Sequence, residues 1–184
     1  MSQQNHDLLR LHLTPGLGRS ALFKLKETFG SFSAALNAPT AQLLRAGILP
    51  TVTEALIHFD EGLFRQTRRR LEDLDVRLIS FWDESYPPLL KQIHDPPALL
   101  YVRGNVPEQD AFAIVGSRRA TPGGLQITRE ISAELASRGI TIVSGLARGI
   151  DTAAHIGALD ASGSTVAVLG CGIDRVYPPE NSRL

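Results

Sequence analysis

Three short segments decide how this chain reads: Gly116-Ser117-Arg118, Ser144-Gly145-Leu146-Ala147-Arg148-Gly149-Ile150-Asp151, and Gly170-Cys171-Gly172-Ile173-Asp174-Arg175-Val176-Tyr177-Pro178. Each follows a short apolar run rich in β-branched residues: Ala113-Ile114-Val115, Ile140-Thr141-Ile142-Val143, and Thr165-Val166-Ala167-Val168-Leu169. Such runs predict buried parallel strands. Residues 123–138 and 151–161 between them read as helices. Strand, helix, strand, helix, strand predicts an α/β fold with a doubly wound, mostly parallel sheet. Ligands of such sheets bind beyond the carboxyl ends of the strands. Three Gly-containing loops carrying Arg118, Arg148 and Arg175 are therefore expected on one rim.

The chemistry of that rim suits phosphate. Glycine lets backbone N–H groups come close to a ligand, and arginine offers a forked cationic donor. Gly116, Ser117 and Arg118 form the first candidate loop, followed by a helix opened near Thr121-Pro122, whose N-terminus favours anions. The plainer reading is a βα turn with solvated arginines. In the second loop Gly145 and Gly149 permit a tight path, Arg148 is placed to reach a phosphate, and Asp151 is expected to cap the next helix. His155, one turn on, is expected to pack or hydrogen-bond rather than act in catalysis. In the third, Arg175 is suited to bind phosphate, Tyr177 to stack on a base, and Asn181 to contact a ligand or cap a helix. The plainer reading there is a proline-stiffened loop in which Asp174 orients Arg175.

The N-terminal third is read as small helices with tight turns. Leu8, Leu9, Leu11 and Leu13 give a first apolar face, and a helix from Ser20 buries Leu22, Phe23, Leu25 and Phe29 before Gly30 stops it. Pro15-Gly16-Leu17-Gly18 between them resembles the helix-hairpin-helix element that holds a DNA backbone phosphate, with Arg19, Lys24 and Lys26 nearby. A helix turn that needs glycine explains the same residues. Residues 61–75 read as a longer helix with Leu63, Phe64, Leu71 and Leu74 inward and Arg68-Arg69-Arg70 mostly outward. Strands follow at Val76 to Phe81 and Ala98 to Val102, separated by an irregular, proline-punctuated stretch.

Composition bounds the function. The 184 residues, 43% of them hydrophobic, can build a real core. Nineteen basic residues balance nineteen acidic ones, which argues against a uniformly cationic duplex-coating protein but leaves room for a local basic patch. One cysteine excludes an intrachain disulfide and a cysteine-based zinc site. The histidines show no metal-ligand spacing, so neither metal nor cofactor is expected. No apolar run approaches the ~20 residues of a membrane span. The N-terminus lacks a signal-peptide core, so a cytoplasmic protein with no membrane partner is expected. The G-x-G-x-x-G fingerprint, the P-loop and the G-x-S-x-G elbow are all absent. No nucleophile–base pair is evident, and the expectation is that this is not an enzyme.

Taken together, these segments resemble the bacterial DNA-processing protein A family (DprA, also called Smf) of natural transformation. The residues that carry the resemblance are Tyr86-Pro87-Pro88-Leu89-Leu90, Asp95-Pro96-Pro97, Val115-Gly116-Ser117-Arg118, Ser144 to Asp151 with Ala154-His155, and Gly170-Cys171-Gly172-Ile173-Asp174 with Tyr177-Pro178 and Asn181. It implies a SAM-like, helix-hairpin-helix-type helical domain over residues 1–60 and an extended Rossmann-like domain over 61–184 that is incomplete at its C-terminal end. The implied function is binding and protection of incoming single-stranded DNA in competence and recombination, and loading of the RecA recombinase onto it. The implied DNA contacts are Gly116, Ser117, Arg118 and Arg175, with Arg148 and Asn181 as weaker assignments. The family's dimer and RecA surfaces are expected in a part that follows residue 184.

The rival reading is a nucleotide-processing enzyme similar to the lysine-decarboxylase-like phosphoribohydrolases, which use a P-G-G-x-G-T-x-x-E loop. Pro122-Gly123-Gly124 is present, but Leu125-Gln126-Ile127-Thr128 does not continue the pattern and the segment follows an early strand.

Overall fold

The computed structural model describes residues 2–107 and 110–184. The chain forms two compact units, Met1–Gly104 and Asn105–Leu184.

In the first unit, helix α1 (Gln3–His12) starts at Ser2, whose side chain accepts from the Asn5 amide, and α2 (Arg19–Phe29) ends at Gly30 in the left-handed conformation. Helices α3 (Phe32–Leu36), α4 (Thr40–Arg45), α5 (Pro50–Ile57) and α6 (Glu61–Asp73) follow. Strands β1 (Val76–Ser80) and β2 (Leu99–Arg103) form an antiparallel pair, with short helix α7 (Pro88–Lys91) between them. Leu8, Leu9, Leu11, Leu22, Leu25 and Phe32 are fully or almost fully buried and form the helical core. Asn5 links that core to the hairpin: its amide donates to the Leu78 carbonyl at 3.1 Å and to the Asp83 carboxylate at 3.2 Å.

Residues 61–104 thus lie in the same compact unit as the N-terminal helices, so the boundary expected after residue 60 does not coincide with the boundary of the units. Periodicity marks α6 and the strands but not what they pack on: α6 contacts β1, and so does α1. Leu63, expected inward, is exposed, while Phe64 and Leu71 are buried. The irregular segment is ordered by Tyr86, whose buried hydroxyl donates to the Pro97 carbonyl at 2.8 Å.

The second unit carries the parallel sheet. Strands β3 (Ala111–Ala113), β4 (Thr141–Ser144) and β5 (Thr165–Ala167) pair in sequence order, Phe112 beside Ile142 and Ile142 beside Thr165. Helices α8 (Pro122–Ser137) and α9 (Ile150–Asp160) are the crossovers. Stepping in one direction with right-handed crossovers puts both helices on one sheet face. There Ala136, Ile142, Ala154 and Ala158 form the buried cluster. Small residues let the helices touch: a Cβ on Gly157 would run into the Arg129 carbonyl of α8.

Three of the expected strand positions differ from the reading as buried runs. β4 is largely buried, but Phe112, Val115 and Val168 are more than half exposed. The helices cover one face, and the pleat turns Ala113, Val143 and Val166, with Val115 and Val168 just past the strand ends, to the other; Phe112 is in register with the buried Ile142 but lies on the edge strand β3. Among the described residues no helix is long and apolar enough to cross a membrane.

Candidate functional site

The loops that leave the three parallel strands build the site. The first is fixed where it leaves β3: the Ile114 amide donates to the Val143 carbonyl at 2.9 Å, and the Ser144 hydroxyl donates to the Ile114 carbonyl at 2.6 Å. Gly116, Ser117, Arg118 and Arg119 are then all exposed. The Ser117 hydroxyl accepts from the Arg119 amide at 3.1 Å. Among the described residues no imidazole or carboxylate hydrogen-bonds it. Thr121 caps α8 through the Gly124 amide at 3.2 Å, with Pro122 in the first turn. Arg118 carries no ion pair among the described residues, so its guanidinium is open to an incoming anion.

The second loop touches the first directly. The Ile150 amide donates to the Ser117 carbonyl at 3.2 Å. Gly149 crosses there with φ of 79°, and a Cβ on it would run into the Ser117 carbonyl oxygen and the Arg118 Cα. Glycine is required by both conformation and space.

Asp151 does not cap α9. The N-cap is Gly149, and the buried Asp151 carboxylate reaches back to accept from the Gly145 amide at 3.2 Å and the Ala147 amide at 3.3 Å. The Gly145 N–H is thereby spent on holding its own loop and is not a free phosphate donor. Leu146 adopts φ of 57°, a left-handed conformation that costs a leucine of order 1–3 kcal/mol and persists only where neighbours enforce it.

The third loop is fastened to the second near its end. The Asn181 amide nitrogen donates to the Leu146 carbonyl at 3.0 Å and to the Thr152 hydroxyl at 2.8 Å. Thr152 in turn donates to the Ala147 carbonyl at 2.7 Å. Asn181 sits on a short 3₁₀ helix, Pro179–Arg183, and is buried. Both of its N–H groups are satisfied within the chain, which makes it a clamp between loops rather than an open ligand contact or a helix cap.

Next to it, Glu180 accepts from Arg148 Nε at 2.8 Å. That bond holds the exposed Arg148 guanidinium above its ordinary pKa and the Glu180 carboxyl below its own. Arg148 is therefore not free in the way Arg118 is. Earlier on this loop, the Arg175 amide closes a turn on the Gly172 carbonyl at 2.9 Å, and the side chain of Arg175 is exposed. The Tyr177 ring is 58% exposed, enough to offer a face to a base.

Arg118, Gly149, Arg148 and Asn181 are thus joined by direct contacts or through one residue. Arg175 shares only the third loop, whereas Tyr177 also lies near enough to Arg148 to act on its charge. Glu180, Thr152 and Leu146 were invisible to sequence reading as parts of the site. A groove of about 480 Å³ runs beside these loops between α8 and α9, with Leu125, Ala153, Ile156 and Pro178 in its walls and Arg148 at its rim.

His155 is buried and points at the sheet, its Nδ1 2.7 Å from the Thr165 hydroxyl, which itself donates to the Ile142 carbonyl at 2.8 Å. With the Thr165 proton on the Ile142 carbonyl, His155 Nδ1 is the donor to Thr165. Burial lowers the His155 pKa, and Asp151 partly opposes the shift. Among the described residues no cluster of His, Cys, Asp and Glu could hold a metal ion. In the first unit, two of the cations near Pro15-Gly16-Leu17-Gly18 have protein partners: Arg19 pairs with Asp95 at 2.5 Å and covers the Phe23 ring, and Lys26 lies over Phe32.

Comparison with known proteins places this arrangement. The DNA processing protein DprA of Bacillus subtilis is 37% identical over 160 residues, covering 80% of this chain and 54% of the relative. Protein Smf of Synechocystis is 45% identical over 108 residues, or 55% of this chain and 27% of the relative. The chain therefore spans from about a quarter to about half the length of these relatives. The X-ray structure of DNA processing protein A from Streptococcus pneumoniae superposes with a TM-score of 0.79 at 29% identity, covering 100% of this chain and 63% of that one. A sequence model of the DNA recombination-mediator protein A family matches residues 77–184. With more than half of its length matched, including all three loops, the chain belongs to the DNA recombination-mediator protein A family.

Proposed function

We propose that the rim of the second unit binds the backbone of single-stranded DNA, and that the chain serves in this way as a recombination mediator of natural transformation. The observation that supports this most is the junction of Ser117-Arg118 with Gly149-Ile150. It holds an exposed, unpaired arginine beside the N-terminus of a 16-residue helix. A phosphate there would meet a forked cation and a favourable dipole. Arg175 would supply a second cation and Tyr177 a stacking surface, which together meet the needs of sequence-tolerant single-strand binding. Among the described residues no helix projects from this rim as a recognition helix would, which favours single strands over duplex.

The family membership supports the cellular role: protection of incoming DNA in the cytoplasm, delivery to RecA, and assembly as a homodimer. The reading is of a binding protein rather than an enzyme, in keeping with the exposed, cationic character of the loops. The phosphoribohydrolase alternative gains nothing here, since Pro122-Gly123-Gly124 forms the first turn of α8 behind its Thr121 cap.

The test is fluorescence anisotropy with labelled oligothymidylate and with a matched duplex, for the unaltered chain and Arg118→Ala. Preference for the single strand, lost in the variant, is expected. Equal or tighter duplex binding, or an unaffected variant, refutes the reading.

A further inference from the structure

The structure assigns Glu180 as a built-in competitor of nucleic-acid phosphate for Arg148, so that Arg148 is withheld from the site until an anion displaces the carboxylate; this rests on the phosphate-binding reading of the rim. The pair is placed where competition is possible. Arg148 Nε and the Glu180 carboxylate are 2.8 Å apart, and their side chains are 56% and 59% exposed. Both charges are reachable from solvent.

The carboxylate is also not on a loose tether. Glu180 stands between buried Pro178 and buried Asn181, and Asn181 is bonded to Leu146 and Thr152 on either side of Arg148 in sequence. The backbone that carries Glu180 is thereby held against the backbone that carries Arg148. The competitor is preorganised, and only side-chain rotation is needed to release the cation. By contrast Arg118, on the neighbouring loop, faces no carboxylate among the described residues. The two arginines therefore differ in kind: Arg118 is available to a first phosphate, and Arg148 contributes only after an exchange of one anion for another.

An exposed pair of this kind is weak, so a DNA phosphate, brought to high local concentration by Arg118, can displace it. Its effect is on the balance of charge. Glu180 offsets one cation of the rim and limits the gain in affinity that Arg148 would otherwise give. It thus tunes the grip on DNA rather than making it.

The experiment is anisotropy with fluorescein-labelled oligothymidylate over a range of salt, using the full chain and the variants Glu180→Gln, Arg148→Ala, Arg148→Ala with Glu180→Gln, and Arg118→Ala. Glu180→Gln is expected to tighten binding by roughly two- to fivefold and to steepen the salt slope by about one phosphate contact. The gain should vanish in the Arg148→Ala background. Circular dichroism melts of each variant confirm that the fold is kept. Unchanged or weaker binding by a folded Glu180→Gln, with Arg118→Ala still impaired, overturns the assignment alone and makes the pair an orienting contact. If Arg118→Ala binds as well as the unaltered chain, the phosphate site itself is misplaced, and the role of Glu180 falls with it.

Discussion

The Asn181 side chain holds the Leu146 carbonyl at 3.0 Å, and Leu146 is one of the few non-glycine residues with positive φ. A residue near the end of the third loop thus stabilises an unfavourable conformation in the second. The same amide also bonds Thr152 in α9. Two loops that would carry phosphate contacts are in this way made one body, which lowers the ordering cost of any ligand that touches both.

Removing that link should be costly. Asn181→Ala leaves the Leu146 carbonyl without its donor in a partly buried setting, a loss of roughly 1–3 kcal/mol. Urea unfolding should show a lower midpoint with little change in slope. Asn181→Asp should be worse than Ala near neutral pH, since a carboxylate would face the Leu146 carbonyl with no proton to give. A midpoint unchanged in both variants would show that the clamp carries no load.

Gly149→Ala is expected to separate the first two loops. The new Cβ would meet the Ser117 carbonyl and the Arg118 Cα, and alanine must also accept φ of 79°. Backbone strain and overpacking together amount to roughly 2–4 kcal/mol. Gly170→Ala, with open space around its Cβ position, is the control and should melt like the unaltered chain. DNA binding should fall with Gly149→Ala and persist with Gly170→Ala. Equal melting curves for the two variants would contradict the contact.

How much of this was legible in the sequence depends on how local the cause is. The alternation of strand and helix from Ala111 to Ala167 was readable because periodicity and the Thr121-Pro122 start signal act within a few residues. The packing of His155 was readable from its place one turn into an apolar helix. Asp151 was misread as a cap because its sequence position suits one; its actual partners, Gly145 and Ala147, depend on a loop that folds back over the helix start. The Arg148–Glu180 pair spans 32 residues, and nothing in either neighbourhood announces it. The left-handed Leu146 was hidden for a related reason: a leucine is the wrong residue to expect there, and only the distant Asn181 makes it tenable. The exposed Val115 and Val168, just past the ends of β3 and β5, share their pattern with buried strands, since an apolar run does not say which face is covered.

The pH dependence of stability should carry the mark of His155. Burial depresses its folded pKa below 6.5, with Asp151 opposing only in part. Between the folded and unfolded values the unfolded chain binds the extra proton, so stability is full above 6.5 and declines as pH falls toward the folded value. His12 is shifted in the same direction by burial and adds to the slope. His155→Gln, which can still donate to Thr165, should remove part of the decline. NMR titration should find the His155 midpoint below 6.5; a midpoint above it would mean the ring is not held neutral.

Arg118 is expected to be the strongest single DNA contact. Its loop is fixed before any ligand arrives, by the Ile150 amide on the Ser117 carbonyl and by the Ser144 hydroxyl on the Ile114 carbonyl. Its guanidinium has no internal partner among the described residues, so no protein bond must break for it to bind. A charge-assisted hydrogen bond of this kind contributes ~1.5–3 kcal/mol, which corresponds to roughly 10- to 100-fold in affinity. Arg118→Ala should lose that much single-strand binding and flatten the salt slope by about one phosphate. Arg138, at the opposite end of α8, is already paired with Glu134 at 2.6 Å and is the charge-matched control. Arg138→Ala should change little, because its charge is already met on the protein and lies away from the loops. If the two variants lose affinity equally, DNA is held by diffuse charge and the rim has no privileged arginine.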